Sequence, residues 1–492
     1  MKSPAPSPKP AKLGRRIWKM CRRGAQWSLV IGAVSIVLTI QYIAARINEE
    51  VRLRVQAKLA ELLPDYEVRV RSARLALGEG LEIRGIVVLA EGDDDQDPLL
   101  QVDEIFLACS AELKDLLKTP EVSRVVVRRP QARLARTADG KWNIEKLAAL
   151  IKPRSGPLPP IPEIKVEGGV VHLVDEMKSP PASLTIRDLE LAALPQWSAP
   201  TVELGSRLMI QVEGSCRGDY LRRAEWKGTV VPEDRVWFGH TSIEGFELCP
   251  ELLAAAPESP VPLPPLPAVR ALINLTAQGD YRPNRPQPLQ WSARAALQRG
   301  TVSDPRLSLP LRDLEAVVAA DAFGVVLERL SGKQADASIE ASGQLWGWSL
   351  KSPCQVRGKI DQLALDRKLL SLLPKKPVDV VEDYDPAGRV DIRFAVSFDG
   401  TRWSPDVTLD WQDLSFRHIK FPYRMQRGWG STRFARGTVT TRITAFAGTQ
   451  PVVIEADIKN PGPEAEATAT IRGKNLRMDR DLWLAMTPRI HQ

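Results

Sequence analysis

Val390-Asp391-Ile392-Arg393-Phe394-Ala395-Val396-Ser397-Phe398 decides the fold. Its even-numbered residues are apolar without a break, and Asp391, Arg393 and Ser397 fall between them. A period of two sends successive side chains to opposite sides of an extended chain. The stretch therefore reads as a β-strand with one apolar and one polar face. The same alternation recurs at Tyr66/Val68/Val70, Leu208/Ile210/Val212 and Ala271/Ile273/Leu275, and again at Val439/Thr441/Ile443/Ala445 and Val452/Ile454/Ala456/Ile458. Short Gly, Asp and Asn turns between the runs suit antiparallel connections. The fold expected is mainly β.

Upstream of the strands the texture differs. Residues 1–26 hold eight basic side chains (Lys2, Lys9, Lys12, Arg15, Arg16, Lys19, Arg22, Arg23) and no acid. An uncharged apolar run follows from Trp27 to Ala45, long enough for a transmembrane helix. The basic flank predicts a cytoplasmic N-terminus, with the bulk of the chain across the membrane, and Trp18, Trp27 and Tyr42 suit interfacial belts. A cleaved signal peptide is the rival. The run exceeds the roughly 7–15 residues of a signal core, and Ile43-Ala44-Ala45-Arg46 is a poor cleavage site. From 46 to 64 an amphipathic helix is expected, because Val51, Val55, Leu59 and Leu62 recur at helical spacing and Pro64 ends it.

The formal charge of +8 belongs wholly to this head. Removing its eight cations from the 68 basic residues leaves 60, against 60 acidic ones. A nucleic-acid surface is therefore not implied. The five cysteines include no C-x-x-C, which argues against a zinc or thioredoxin-type site. Cys216 and Cys249 either pair in an oxidising compartment or stay as isolated buried thiols. Proline-rich stretches at 153–162 and 257–267 read as extended linkers or edge-covering loops.

A long repeat is also present. Phe246-x-Leu248-x-x-x-Leu252, Leu363-x-Leu365-Asp366-x-x-Leu369 and Leu476-x-Met478-Asp479-x-x-Leu482 share one pattern, at spacings of 117 and 113 residues. Leu309-Pro310-Leu311 and Phe421-Pro422-Tyr423 correspond at 112. Duplicated β units laid end to end are expected. The chain stops ten residues after the third copy, as a natural end or as a longer protein cut there.

Residues 119–175 carry a more specific pattern. Pro120-Glu121-Val122-Ser123-Arg124-Val125-Val126-Val127 leads to Arg129-Pro130, and then to Asp139-Gly140-Lys141-Trp142-Asn143-Ile144-Glu145-Lys146-Leu147. After a proline-rich gap comes Ile164-Lys165-Val166-Glu167-Gly168-Gly169-Val170-Val171-His172-Leu173-Val174-Asp175. This resembles the N-terminal region of the AsmA family, with its "dG-x-wN-x-x-x-L" turn and helix and its "I-x-V-x-x-G-x-V-x-x-x-D" strand pair. Residues 65–190 resemble it most specifically, and the rest resembles AsmA and TamB in pattern. From the residues alone, Asp139, Gly140, Trp142, Asn143 and Leu147 have a structural reading. Asp139-Gly140 makes a tight turn, Trp142 packs on the sheet, and Asn143 caps a short helix bearing Leu147.

Chemistry is sparse. No G-x-S-x-G elbow, phosphate loop or H-E-x-x-H occurs. Asp93-Asp94-Asp95-Gln96-Asp97 lacks the glycine and terminal glutamate of a calcium loop. His172 lies within an alternating strand and has no partner constellation. The sequence predicts no enzyme, no metal and no cofactor.

A sheet with one apolar face needs a cover. Folding the sheet onto itself would provide one. So would lipid held in a long curved antiparallel sheet that forms an apolar groove, with Val390, Ile392, Phe394, Val396 and Phe398 among its lining. Roughly twenty strands would give a ribbon on the order of 100 Å long. The resemblance implies the groove, following an N-terminal transmembrane helix. It implies an inner-membrane-anchored, single-pass periplasmic protein that carries phospholipid between inner and outer bacterial membranes. Its partners would be membrane phospholipid, the inner membrane and a further outer-membrane or periplasmic protein, with no nucleic acid. The alternative is a membrane-tethered periplasmic scaffold assisting outer-membrane protein assembly. The expected layout is a basic segment over 1–26, a membrane helix over 27–45, an amphipathic helix over 46–64, an AsmA-like domain over 65–200 and a repeated β-groove region over 201–492.

Overall fold

A computed structural model describes residues 46–76, 79–90, 98–109, 122–137, 139–145, 161–197, 207–256, 268–305, 307, 309–349, 351–365, 384–419, 421–461, 465–476 and 480–485. They divide into two compact units, one within 1–133 and 143–164 and the other within 134–142 and 165–492.

The first unit opens with a helix over 46–62, here α1. Ion pairs at helical spacing, Arg52 with Glu49 and Lys58 with Glu61, run along it, and Arg52 also donates to Val70 O at 3.2 Å. Val55, Leu59 and Leu63 pack on a core of Tyr66, Val68, Val70, Ile83, Ile86, Val88, Leu99 and Val102. That core belongs to β1 (Tyr66–Ala76), β2 (Gly80–Ala90) and β3 (Leu100–Cys109). These pair antiparallel in sequence order, with β4 (Val122–Arg136) beside β3.

The second unit is built from β5 (Glu163–Asp175), β6 (Ala182–Trp197), β7 (Leu208–Gly218), β8 (Leu221–Val231), β9 (Val236–Leu248), β10 (Ala268–Tyr281), β11 (Leu289–Ser303), β12 (Leu311–Asp321) and β13 (Gly324–Gln334). It continues with β14 (Ala337–Trp346), β15 (Cys354–Ala364), β16 (Ala387–Phe398), β17 (Trp403–His418), β18 (Phe421–Ala435), β19 (Thr438–Ala447), β20 (Gln450–Lys459) and β21 (Glu466–Gly473). From β6 to β21 each strand pairs antiparallel with the next, in one open meander. Two short helices accompany it, α2 (Pro250–Ala255) after β9 and α3 (Arg480–Ala485) after β21. Cys249 caps α2, its sulfur accepting from the Leu252 N–H at 3.4 Å. From the β5–β6 turn, the Lys178 ammonium donates to the carbonyls of Leu253, Ala254 and Ala256 at its other end, where the helix dipole favours a cation.

A line of bulges crosses the meander. Asp188, Gly245, Arg299, Asp313, Gln362, Asp413 and Arg427 all have positive φ, and each sits at a shift of register. A residue in this conformation takes up the extra step of a bulged strand and sharpens its twist.

The mainly β, repetitive reading stands, and three expectations are corrected. Among the described residues no helix is long and apolar enough to cross a membrane. Helix α1 carries Arg46, Glu49, Glu50, Arg52, Arg54, Lys58 and Glu61, too many charges for a span. The stretch 27–45 lies outside the described residues, so the transmembrane helix, the single-pass topology and the inner-membrane location have no support in the structure. The expected carriage of phospholipid between two membranes by an anchored protein, and its tethered-scaffold alternative, fall with the anchor. The expected curved groove is corrected too. The pairings form an open series, and none of them closes or curls the sheet on itself.

In the long repeat, the first copy ends β9 and enters α2, and Leu482 of the third lies in α3. Residues 366–369 of the second and 477–479 of the third lie outside the described residues.

Candidate functional site

Val390, Ile392, Phe394, Val396 and Phe398 share one face of β16, and the register extends that face to both neighbours. On β15 they meet Leu363, Ile360, Gly358, Val356 and Cys354. On β17 they meet Trp411, Leu409, Val407, Pro405 and Trp403. The pattern continues backward through Ile339 and Ala341 of β14, Ala295 and Leu297 of β11, and Ile273 and Leu275 of β10. It continues forward through Val439, Ile443, Ile454 and Ile458. The hydroxyls of Thr241, Thr432 and Thr441 are its mild polar interruptions, and the last two hydrogen-bond each other at 3.2 Å.

The burial of this face is uneven. Val390 is fully buried with Ala337 and Leu363, and Ile360, Ile392, Leu409 and Trp411 pack against them. Leu414, Ile443 and Ala445 form a second buried cluster, and Tyr423, Val452 and Ala485 a third under α3. Outside these clusters Ile273, Leu275, Ala295, Val318, Leu327, Phe394 and Val396 remain only half-buried. Sheets packed face to face interdigitate their side chains and bury both inner faces. The buried clusters here stay within runs of three neighbouring strands, one of them with α3, and none joins two sheet layers among the described residues.

Gly358 shows how closely the face is packed along the sheet. A Cβ there would meet the Phe394 ring at 2.7 Å, so the ring lies flat over bare backbone. The Trp226 ring covers Gly214 in the same way, 2.6 Å from where its Cβ would be.

The opposite face is ionic. Arg433 pairs with Asp406 at 2.8 Å, Arg294 with Glu328 at 2.7 Å, Lys359 with Glu340 at 3.6 Å, and Arg393 with Asp410. The hydrogen bond from Arg433 holds Asp406 below the usual carboxylate range. Such exposed pairs contribute little individually. The described concavities also open on this side. One of about 780 Å³ lies among Gln211, Lys227, His240, Gln278 and Gln290, and another of about 700 Å³ lies among Arg357, Lys359, Arg393 and Arg433. Both hollows lie on the polar side of the sheet.

The Asp139–Asn143 segment is a hydrogen-bonded turn. Asp139 accepts from the Thr137 hydroxyl and from the Lys141 N–H, which lowers its pKa, with the Thr137 bond the larger cause. Gly140 takes a positive φ of 81°, and its N–H donates to Thr137 O at 2.8 Å. Trp142 bridges Arg136 through the backbone. The Asn143 amide donates to Arg133 O at 2.8 Å. Glu145 is helical, as expected after Asn143, and Leu147 lies outside the described residues.

Asp175, the last residue of the second motif, is fully buried. Its Oδ2 lies 3.8 Å from Arg136 Nη1, and its Oδ1 accepts the Met177 N–H at 3.1 Å. The motif thus ties the turn to β5. His172 lies exposed beside the Thr185 hydroxyl at 3.3 Å. Cys216 and Cys249 are both buried free thiols, and burial pushes the Cys216 thiol up. Among the described residues no group of His, Cys, Asp and Glu could hold a metal. Residues 93–97 lie outside them.

Sequence reasoning missed one feature, the turns that join β6 to β7, β8 to β9, and so on to β16 and β17. Trp197 ends β6 at 67 % exposure, Phe323 sits in the β12–β13 turn at 68 %, and Trp403 opens β17 at 63 %. Trp237, Trp346 and Trp348 are exposed on the same row. Rings pair along it, Trp237 with Tyr281, Trp291 with Trp348, and Phe398 with Trp403. The available signal was tryptophan placed next to turn residues, as in Trp346-Gly347-Trp348.

No protein-family model matches the chain, and no curated protein matches it either. The AsmA resemblance therefore rests on the motif residues themselves.

Proposed function

We propose that the apolar face carried by β6–β21 binds the acyl chains of membrane phospholipid, and that the protein acts by binding and not by catalysis. One observation supports this reading. Sixteen successive strands present an apolar face that stays half-buried outside small local clusters, while the other face is charged. Apolar surface in water is costly, and each acyl CH₂ laid on such a face gains about 0.8 kcal/mol. Side chains that alternate by face let a chain lie along one side while the charged side stays in water. Kinship with the AsmA type belongs to the same proposal and rests on residues 119–175.

The test is chemical. The full chain is purified in mild detergent, the detergent is exchanged, and phospholipid phosphorus is measured per chain. The expected result is retained phospholipid on the wild type and its loss on Phe394→Asp. A folded wild-type chain that retains none contradicts the proposal.

A second reading concerns a protein partner. β21 is exposed along nearly its whole length, and among the described residues it pairs only with β20. An open strand edge of this kind accepts an added strand. Crosslinking from Ile471 to another polypeptide would support it, and an Ile471 position that captures no protein in cells would count against it.

A further inference from the structure

The row of turns that carries Trp197, Phe323 and Trp403 differs from the opposite row in two independent ways. The first is its exposed aromatic rings, at five of the six successive turns from β6–β7 to β16–β17. Among the described residues of the opposite row, from the β5–β6 to the β17–β18 connection, the exposed large apolar residues are Met177, Leu253, Leu309, Tyr384 and Ile419, with no tryptophan; one exposed tryptophan, Trp483 of α3, follows only after β21. The second is charge. Among the described residues of the connecting segments, the aromatic row carries a net +3 and the opposite row a net −5. Asp280 and Asp321, at strand ends on the aromatic row, lower its net charge by two, to +1. Asp280 takes Arg282 at 3.0 Å and Arg285 at 2.8 Å, and Asp321 takes the N–H groups of Phe323 and Gly324.

Indole rings favour the water–lipid boundary, where the ring leaves water and the N–H keeps a polar partner. Trp348 already gives its N–H to Asp321 O at 3.0 Å. Basic residues beside such rings favour anionic headgroups. We propose that this row of turns docks edge-on to the interfacial layer of a bilayer containing anionic phospholipid. The proposal extends the acyl-chain reading by naming the source of the lipid. A chain leaving the bilayer along this edge would pass from the ring row directly onto the apolar face, since Trp237, Trp291, Phe398 and Trp403 belong to both.

The test places a photoreactive benzoyl-phenylalanine in the full chain, at Phe323 on this row or at Ile419 on the opposite one. Each protein is irradiated with vesicles of phosphatidylcholine alone or with added phosphatidylglycerol. With the anionic vesicles, lipid adduct at Phe323 should exceed that at Ile419 by about tenfold, the ratio that about 1.4 kcal/mol of preference gives. It should fall as salt rises from about 0.1 M to about 1 M, where the Debye length shrinks from about 10 Å to about 3 Å. Replacing Trp197, Trp346 and Trp403 together by Ala should remove most of the Phe323 adduct. Trp429→Ala, an exposed ring on β18 packed on Phe446, should not. Equal adduct at Phe323 and Ile419 would overturn the proposal, and so would a Phe323 adduct to a second copy of the chain. The readout is separable from the acyl-chain reading. Phospholipid retained after vesicles are removed reports on the face, and adduct position reports on the row.

Discussion

Removing the Asp175 carboxylate should open the turn at 139–142. The group is 0 % exposed, sits 3.8 Å from Arg136 and accepts the Met177 N–H at 3.1 Å. Arg136 in turn donates to Gly140 O at 3.3 Å and bridges Trp142. Asp175→Ala loses a charge-assisted hydrogen bond, about 1.5–3 kcal/mol. It also takes the Asp175 carboxylate from the Arg136 guanidinium, and breaking a buried pair costs about 3–5 kcal/mol in general. Arg136 keeps 21 % of its side chain exposed, so water relieves part of that cost. The lower end applies, about 3 kcal/mol, or roughly a hundredfold in the local opening equilibrium. Hydrogen exchange followed by mass spectrometry reads this directly. Amides of 139–142 should exchange roughly a hundredfold faster in Asp175→Ala, while those of β16 should not change. Asp175→Asn keeps an acceptor for Met177 and should lose less. Unchanged exchange at 139–142 in Asp175→Ala would refute the reasoning and make the buried carboxylate a bystander.

Three further outcomes are expected. Phe394→Asp should strip bound phospholipid while Arg393→Asp on the charged face should not, and equal loss from both would indicate unfolding of the sheet. Gly358→Val drives a side chain into Glu340 O and the Phe394 ring; overpacking of this kind costs about 1–3 kcal/mol, to be read as a lower urea midpoint, and an unchanged midpoint would show that the ring moves freely. The β16–β17 turn should survive acid unusually well. Asp399 accepts from the Arg402 N–H, the Thr401 hydroxyl and the Thr401 N–H, which lower its pKa to about 2. Its folded value lies below the unfolded one, so its contribution is complete above the ordinary carboxylate range and is lost as pH falls through about 2. Carboxyl resonances of Asp399 followed by NMR should titrate there, and a midpoint near the ordinary value would contradict the turn geometry.

The strands were legible because period-two alternation leaves little choice. Val390–Phe398 shows its apolar face in the sequence, and the register then only aligns it with Ile360 and Leu409. The bulges were not legible. Glycine is the usual marker of a positive φ, yet only Gly245 among the seven bulged positions is glycine. Arg299, Asp313, Gln362 and Arg427 adopt the conformation because the paired strands on either side enforce it, a tertiary effect with no local signature. That no second layer covers the face among the described residues was also beyond the sequence. Alternation predicts an apolar face equally for a sandwich and for an open sheet, and only the half-burial of Ile273, Ala295 and Phe394 separates them. The Asp139–Asp175 motif was read as structural, but its buried Asp175–Arg136 pair joins residues far apart in sequence and appears only once the strands are placed.

The central claim is that acyl chains lie on the apolar face. It is tested most directly by phospholipid with a photoreactive diazirine in its acyl chain, loaded onto the full chain and mapped by peptide mass spectrometry. The account predicts labels on Ile273, Leu275, Ile392, Phe394 and Val396, with Gln278, Arg393 and Thr408 of the charged face unlabelled. Labels spread equally over both faces, or gathered in the concavity around His240 and Gln278, would contradict it.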